Sequence, residues 1–326
     1  MSARREPFTV VRDGLHQDPG ALRGGVVAIG NFEGVHRGHR VVIDKAIGLS
    51  RSLGRPAAVL TFEPHPRAFF RPEEPVFRLS DECAKVRLLE ATDLDGVIFL
   101  RFDQELAGLA AEDFVSQVLC DRLAISGAVI GFDFHFGKGR KGSPEFLTAE
   151  GKRRGFVVEI VPEVGIAGRR FSSGAVRSAL AAGNVADAAD LLGYPWFVSG
   201  VVQHGDARGR TLGFPTANIA LDAGSQLRHG IYAVRVAVGE TFYGGVASFG
   251  RRPTFDNGAV LLEVFLFDFS GDLYGRKIDV AFIGWIRPEL KFASADELIT
   301  RMHEDARAAR AALDQAGETF PSLAAP

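Results

Sequence analysis

Only two cysteines, Cys83 and Cys120, occur in 326 residues, so neither a disulfide framework nor a cysteine-rich zinc site is on offer. There is no run of 18 apolar residues and no stretch with the layout of a signal peptide, which sets the expectation of a cytoplasmic protein without a membrane partner. Net charge is also missing, with 38 Lys and Arg against 40 Asp and Glu for a formal balance of −2. No global field then draws the chain to nucleic acid, and any phosphate must be gripped locally. Tryptophan and tyrosine are scarce, at two and four residues, and the absence of a Walker motif excludes a P-loop kinase.

What is abundant is apolar residues, at 46% against 24% charged, and phenylalanine, with 26 copies. A chain this long buries enough surface to fold on its core alone, and its length predicts two domains, set at residues 1–185 and 186–326. The phenylalanines suit core filling and flat apolar slots for a planar ligand.

The first part alternates short aliphatic runs with longer helical patterns. Residues 25–30, 56–62, 95–99, 127–131 and 156–161 read as buried strands, and 39–53, 81–92 and 111–123 carry apolar residues at helical spacing. That alternation predicts a doubly wound, Rossmann-like α/β domain with a parallel sheet. From about residue 197 the strands shorten and crowd together, at 197–203, 230–238, 241–249, 259–269 and 277–285, leaving no room for crossover helices. An antiparallel barrel or sandwich is expected there. Residues 178–194 read as a partly helical connector. Residues 296–313 read as an amphipathic helix able to cover a barrel end, with Leu298, Met302, Ala306, Ala309 and Leu313 on its apolar stripe and charges elsewhere.

Directly after the first strand comes GNFEGVHRGH at 30–39 and then a helix. Such a strand-to-helix turn binds phosphate because free backbone N–H groups and the helix dipole face the ligand. Gly30, Gly34 and Gly38 let an anion approach, and Asn31 and Phe32 lie in the same turn. His36 and His39, three apart, share one helical face and can donate to phosphate oxygens. Solvated or capping histidines are the plain alternative, and metal ligation lacks a third ligand nearby. A second element, FSSGAVR at 171–177, offers Ser172 and Ser173 as helix caps and Arg177 as a phosphate fork.

In the second part, 205–218 reads GDARGRTLGFPTAN. Gly205 and Gly209 permit a tight anion-cradling loop, Arg208 and Arg210 supply forks, and Thr216 and Asn218 put two hard oxygens on one face of an extended segment, a set suited to Mg²⁺ with ATP phosphates. Glu263 is a lone carboxylate in an otherwise apolar strand, which demands a partner such as Arg251 or Arg252, or a catalytic task.

These motifs carry a resemblance. GNFEGVHRGH with FSSGAVR resembles the HxGH nucleotidylyltransferases, and TFEPHP at 61–66 with GFDFHFG at 131–137 is similar to the FMN adenylyltransferase module of bacterial bifunctional riboflavin kinase/FAD synthetases. By that resemblance His36 and His39 contact the ATP phosphates, while Ser172, Ser173 and Arg177 hold the triphosphate. Phe62, Pro64, His65, Pro66, Asp133, Phe134 and Phe136 are then candidates for the flavin pocket. Glu33 stands where the pattern usually has Asp, Gly174 where it often has a hydroxyl, and His135 where Arg is frequent.

The second half resembles the riboflavin kinase module, since GIYA at 230–233, RPTF at 252–255, LEV at 262–264, YGR at 274–276 and IRPELKF at 286–292 follow in that family's order. The resemblance implies a six-stranded Greek-key barrel with a C-terminal helix, Mg²⁺ held through Thr216 and Asn218, Glu263 as base, and Arg287 among the flavin-binding residues. Phe265 stands where His or Tyr is frequent. The expected activity is phosphorylation of riboflavin to FMN by ATP and adenylylation of FMN to FAD, with these small molecules as the partners. A monofunctional riboflavin kinase with a nucleotide-binding N-terminal domain and a non-catalytic flavin carrier remain as alternatives. The oligomeric state is open, a homo-oligomer included.

Overall fold

The computed structural model describes residues 7–317, apart from 14, 167, 205–213, 223 and 252–259. Two units divide the chain, one of Met1–Val76 with Ser80–Phe171 and the other of Phe77–Leu79 with Ser172–Pro326.

In the first unit, six strands form one parallel sheet: β1 (Thr9–Val11), β2 (Val26–Ile29), β3 (Ala57–Glu63), β4 (Gly96–Arg101), β5 (Gly127–Gly131) and β6 (Val157–Val161), in the order β1-β4-β3-β2-β5-β6. The inner strands are aliphatic and almost wholly buried, as a sheet covered on both faces requires. Between them run α1 (Arg37–Leu53), α2 (Pro66–Phe70), α3 (Glu82–Glu90), α4 (Gln104–Gly108), α5 (Ala111–Asp113) and α6 (Pro144–Arg154). The chain progresses from β2 through β3 to β4 on one side and resumes with β5 on the other. Beyond the carboxyl ends of β2 and β5 therefore lies the crevice where sheets of this kind place ligands.

Two expectations need correction here, and one strand is additional. Residues 156–161 were expected as a buried strand, but β6 is the sheet edge and exposes Val157 and Ile160. The helix expected over 111–123 is α-helical only through α5 and continues as a π-helix, Phe114–Arg122. β1, three residues long on the opposite edge, was too short to carry a periodic signal. A two-stranded hairpin, β7 (Gly165–Ile166) and β8 (Arg169–Arg170), completes the unit.

The second unit opens with α7 (Ser173–Ala181) and α8 (Val185–Leu192) and continues as six antiparallel strands. These are β9 (Phe197–Val201), β10 (Ala217–Ala220), β11 (Gly230–Val238), β12 (Thr241–Arg251), β13 (Val260–Leu266) and β14 (Lys277–Arg287), in the order β10-β13-β12-β11-β14-β9. A bridge between Gln203, just past β9, and Asn218 of β10 closes the ring into a barrel. Strands β11, β12 and β13 are consecutive neighbours and β14 returns beside β11, which is a Greek key. Tyr232, Phe249 and Phe282 are fully buried and fill the interior.

The last helix, α9 (Ala295–Gln315), packs Ala306, Ala309, Ala312 and Leu313 against Ala233, Val246, Phe265 and Ile283 on the outer face of β11 to β14. It covers the barrel's flank rather than its end. The expectation that all charges lie off its apolar stripe also fails, because Asp305 is buried. Both carboxylate oxygens of Asp305 accept from Arg287, at 2.8 and 2.6 Å, so the charge is tolerated by a bidentate partner.

Candidate functional sites

In the first unit, the turn after β2 is held in an unusual backbone shape. Phe32, Gly34 and Val35 have φ of 45°, 72° and 36°. Two of these are non-glycine residues in the left-handed region, a strain that surrounding contacts must sustain. Gly34 N–H donates to Ser80 Oγ at 3.0 Å, and Thr61 Oγ1 donates to the Asn31 carbonyl at 3.1 Å. The result delivers His36 to the N-cap of α1, where its Nδ1 accepts from the His39 N–H at 3.2 Å. A neutral His36 then carries its ring proton on Nε2.

His36 and His39 stack with ring centroids 3.5 Å apart and planes 16° from parallel. Gly38 fits closely here, since a Cβ would lie 3.2 Å from the His36 ring and 3.1 Å from the Phe171 carbonyl. The His39 pKa is lowered well below 6.5, first by burial, then by the charges of His36 and Lys85. Its Nδ1 is buried with no hydrogen-bond partner among the described residues. A histidine pair at a helix N-terminus, with the His39 Nδ1 unpartnered among the described residues, can meet an anionic oxygen. The Phe32 ring is buried and lies 5.1 Å from that of His39. Gly30 keeps this turn tight, a Cβ there falling 3.3 Å from the Phe32 ring.

The aromatic candidates divide. Phe62 and Phe136 are core residues, Phe136 packing on Phe114 and Phe146 at 5.3 and 6.1 Å. Phe134 is half-buried and stacks on Phe136 at 5.5 Å. Pro64 is exposed and Pro66 opens α2 as its first residue. His65 caps α2 through Nδ1 and turns Nε2 toward buried Glu33 at 3.8 Å. Asp133 is bound by Arg170 at 2.5 Å. The sequence reading missed the ring cluster of Phe69, Phe70 and Phe102, in which Phe70 is 64% exposed. It also missed Lys85. A charged residue on the helical stripe of Leu88 and Leu89 was the available signal.

Ser172 and Arg177 belong to the second unit. Ser172 Oγ caps α7 by accepting from the Ala175 N–H at 3.1 Å, and Arg177 Nε donates to the Phe77 carbonyl at 2.7 Å. Ser173 is the first residue of α7. Gly205, Arg208, Gly209 and Arg210 lie outside the described residues, as do Arg252 and the side chain of Arg251.

On the barrel's outer face one cross-strand row runs Asn218, Glu263, Ser248, Ile231 and Arg287, each opposite the next in register. Glu263 is half-buried rather than enclosed by the apolar strand, because alternation turns it outward while Leu262 and Val264 face in. Asn218 is buried, and its Oδ1 has no hydrogen-bond partner among the described residues. An orphaned amide oxygen facing a carboxylate fits a hard, oxygen-seeking cation such as Mg²⁺. Thr216, two residues earlier, is half-buried. Arg287 spends Nε and Nη2 on Asp305 and Nη1 on the Pro288 carbonyl at 2.8 Å. Phe265 packs its ring on Phe214 at 5.0 Å.

A Rossmann-like strand-to-helix turn with a stacked histidine pair, followed by a Greek-key barrel bearing a carboxylate–amide row, fits a two-module enzyme of phosphorus-group transfer. Residues 18–175 match the FAD synthetase family and residues 192–313 the riboflavin kinase family. The bifunctional riboflavin kinase/FMN adenylyltransferase of Haemophilus influenzae is 41% identical over 300 residues, 91% of this chain and 97% of that one. Its namesake in Escherichia coli K12 is 42% identical, over 91% of this chain and 96% of the relative. The chain belongs to the bifunctional riboflavin kinase/FMN adenylyltransferase family. A crystal structure described as a macrolide-efflux protein from Streptococcus pneumoniae superposes with a TM-score of 0.82 at 31% identity, covering 93% of this chain and 98% of that one. Among the described residues, no helix is long and apolar enough to cross a membrane.

Proposed function

We propose that the chain makes both flavin cofactors: residues 186–326 phosphorylate riboflavin to FMN with ATP, and residues 1–185 transfer AMP from a second ATP to FMN, giving FAD and pyrophosphate. The observation that carries this reading is the presence of two chemically different clusters, the His36–His39 stack in one unit and the Asn218–Glu263 register in the other.

In the kinase step, Glu263 accepts the proton of the riboflavin 5′-hydroxyl as its oxygen attacks the γ-phosphorus, and ADP leaves. Asn218 and Thr216 would hold Mg²⁺, whose part is to neutralise phosphate charge. Arg208, Arg210, Gly205 and Gly209 are assigned to the nucleotide by the resemblance of their motif. Arg287 has all three guanidinium nitrogens engaged, so we give it the task of fixing α9 on the barrel face.

In the adenylyl step, the FMN phosphate attacks the α-phosphorus of ATP and the pyrophosphate bond breaks. Charge grows on the phosphorus oxygens, and His36 and His39 supply N–H donors already in position. Ser172, Ser173 and Arg177 are assigned to the triphosphate by resemblance. Separating the flavins formed from FMN, ATP and Mg²⁺ tests this half: FAD supports it, and unchanged FMN would leave a monofunctional kinase.

A further inference from the structure

The barrel of the second unit is closed unevenly. β14 pairs with β9 from Lys277 to Ala281, and β13 pairs with β10 from Leu261 to Val264. On its other side, among the described residues, β10 is joined through the isolated bridge of Gln203 and Asn218, in which Gln203 N–H donates to the Asn218 carbonyl at 2.9 Å. Gly200 of β9 adds only a space for the Ile219 side chain of β10, which a Cβ there would strike. β10 is therefore close to being an edge strand, and a strand so thinly held frays unless something else fixes its neighbour. Asn218, with its orphaned amide oxygen, lies on this strand.

The turn from β13 into β14 fixes that neighbour. Gly275 N–H donates to the Val202 carbonyl at 2.9 Å, and Val202 N–H donates to the Arg276 carbonyl at 3.0 Å, so the residues that follow β9 are tied to the turn. The turn is itself locked. Arg276 N–H donates to the Leu273 carbonyl at 3.0 Å, Tyr274 N–H donates to Asp272 Oδ1 at 2.9 Å, and Gly275 takes a φ of 73° that glycine adopts freely. On this base the half-buried Tyr274 ring stacks on the exposed ring of His204, with centroids 3.8 Å apart and planes 22° from parallel. His204 directly follows Gln203.

We propose that Tyr274 is a positioning residue for the kinase step: by stacking on His204 it pins the Gln203–Asn218 bridge and so keeps the Asn218 amide oxygen opposite Glu263. A ring pair of this kind biases a local equilibrium by roughly threefold to tenfold. That is too little to decide whether the barrel folds, and enough to set how often one hydrogen bond is made. This inference rests on the kinase reading above, in which Asn218 meets Mg²⁺.

The test follows the full-length protein by two readouts: hydrogen exchange at the Gln203 amide by NMR with no ligand added, and the Mg²⁺ concentration giving half-maximal FMN formation. Tyr274→Ala and His204→Ala should each raise both by roughly threefold to tenfold, and the double substitution should do no more than either alone. Tyr274→Phe keeps the ring and should leave both readouts at wild-type values. Conversion of supplied FMN to FAD should be unchanged in every variant. Unaltered exchange at Gln203 in Tyr274→Ala overturns the proposal. Faster exchange with an unmoved Mg²⁺ dependence also overturns it, marking the stack as packing alone, as does an equal loss of both half-reactions. If the wild type formed no FMN, the kinase reading would fall, and the exchange rates of Gln203 would still decide whether the stack holds the bridge.

Discussion

Asn218 and Glu263 stand directly opposite each other on neighbouring antiparallel strands, so the orphaned amide oxygen and the carboxylate share one face of the barrel. Residues so paired have Cβ atoms about 5 Å apart, so the two side chains can act on one ligand. The two residues proposed as cation ligand and base are thereby brought together although 45 positions of sequence separate them.

Glu263→Gln keeps shape and removes the proton acceptor. FMN formation should fall by roughly 10²-fold to 10⁴-fold while conversion of supplied FMN to FAD stays intact. Steady-state kinetics of the two half-reactions, measured separately, check it.

Asn218→Ala deletes the amide oxygen. The Mg²⁺ concentration giving half-maximal FMN formation should rise by roughly tenfold, about 1.4 kcal/mol of lost cation binding. An unchanged Mg²⁺ dependence would assign the orphaned oxygen to something else.

The β-strand register that builds this row was not legible in the sequence, although its members were. Motif order singled out Thr216, Asn218 and Glu263, but only the antiparallel pairing of β10, β13 and β12 shows that Asn218, Glu263 and Ser248 line up. The pairing of Arg287 with Asp305 was hidden because nothing in its local sequence points to a residue 18 positions on, in a helix whose charges all looked solvent-facing. The histidine pair was legible from spacing, whereas its stacking depends on positive-φ backbone at Phe32 and Val35, which side-chain patterns do not encode. Strand edges were hidden for the same reason: β6 has the composition of a central strand, and only the order of the sheet leaves it uncovered.

Breaking the buried Arg287–Asp305 pair from one side should be costly. Asp305→Ala leaves a guanidinium enclosed without its carboxylate and should destabilise the protein by about 3–5 kcal/mol, read from urea unfolding. Replacing both partners by apolar residues of similar size should recover much of that loss.

His39 also makes stability depend on pH. Its folded pKa lies below the unfolded value of 6.5, so between the two the unfolded chain binds more protons, and stability falls as the pH drops below about 6.5. The unfolding midpoint of wild type should therefore decline more steeply below that pH than that of His39→Gln, which has no proton to take up.

The account stands or falls on two chemistries that can be lost one at a time. Chromatography of the flavins formed over time from riboflavin, ATP and Mg²⁺ measures this directly. Wild type should show FMN rising first and FAD following. Glu263→Gln should form FMN from riboflavin roughly 10²-fold to 10⁴-fold more slowly yet convert supplied FMN to FAD at the wild-type rate, and His39→Ala should accumulate FMN while FAD formation drops by about 10²-fold or more. If one substitution slowed both steps equally, or wild type consumed ATP without converting riboflavin, the assignment of two sites would be contradicted.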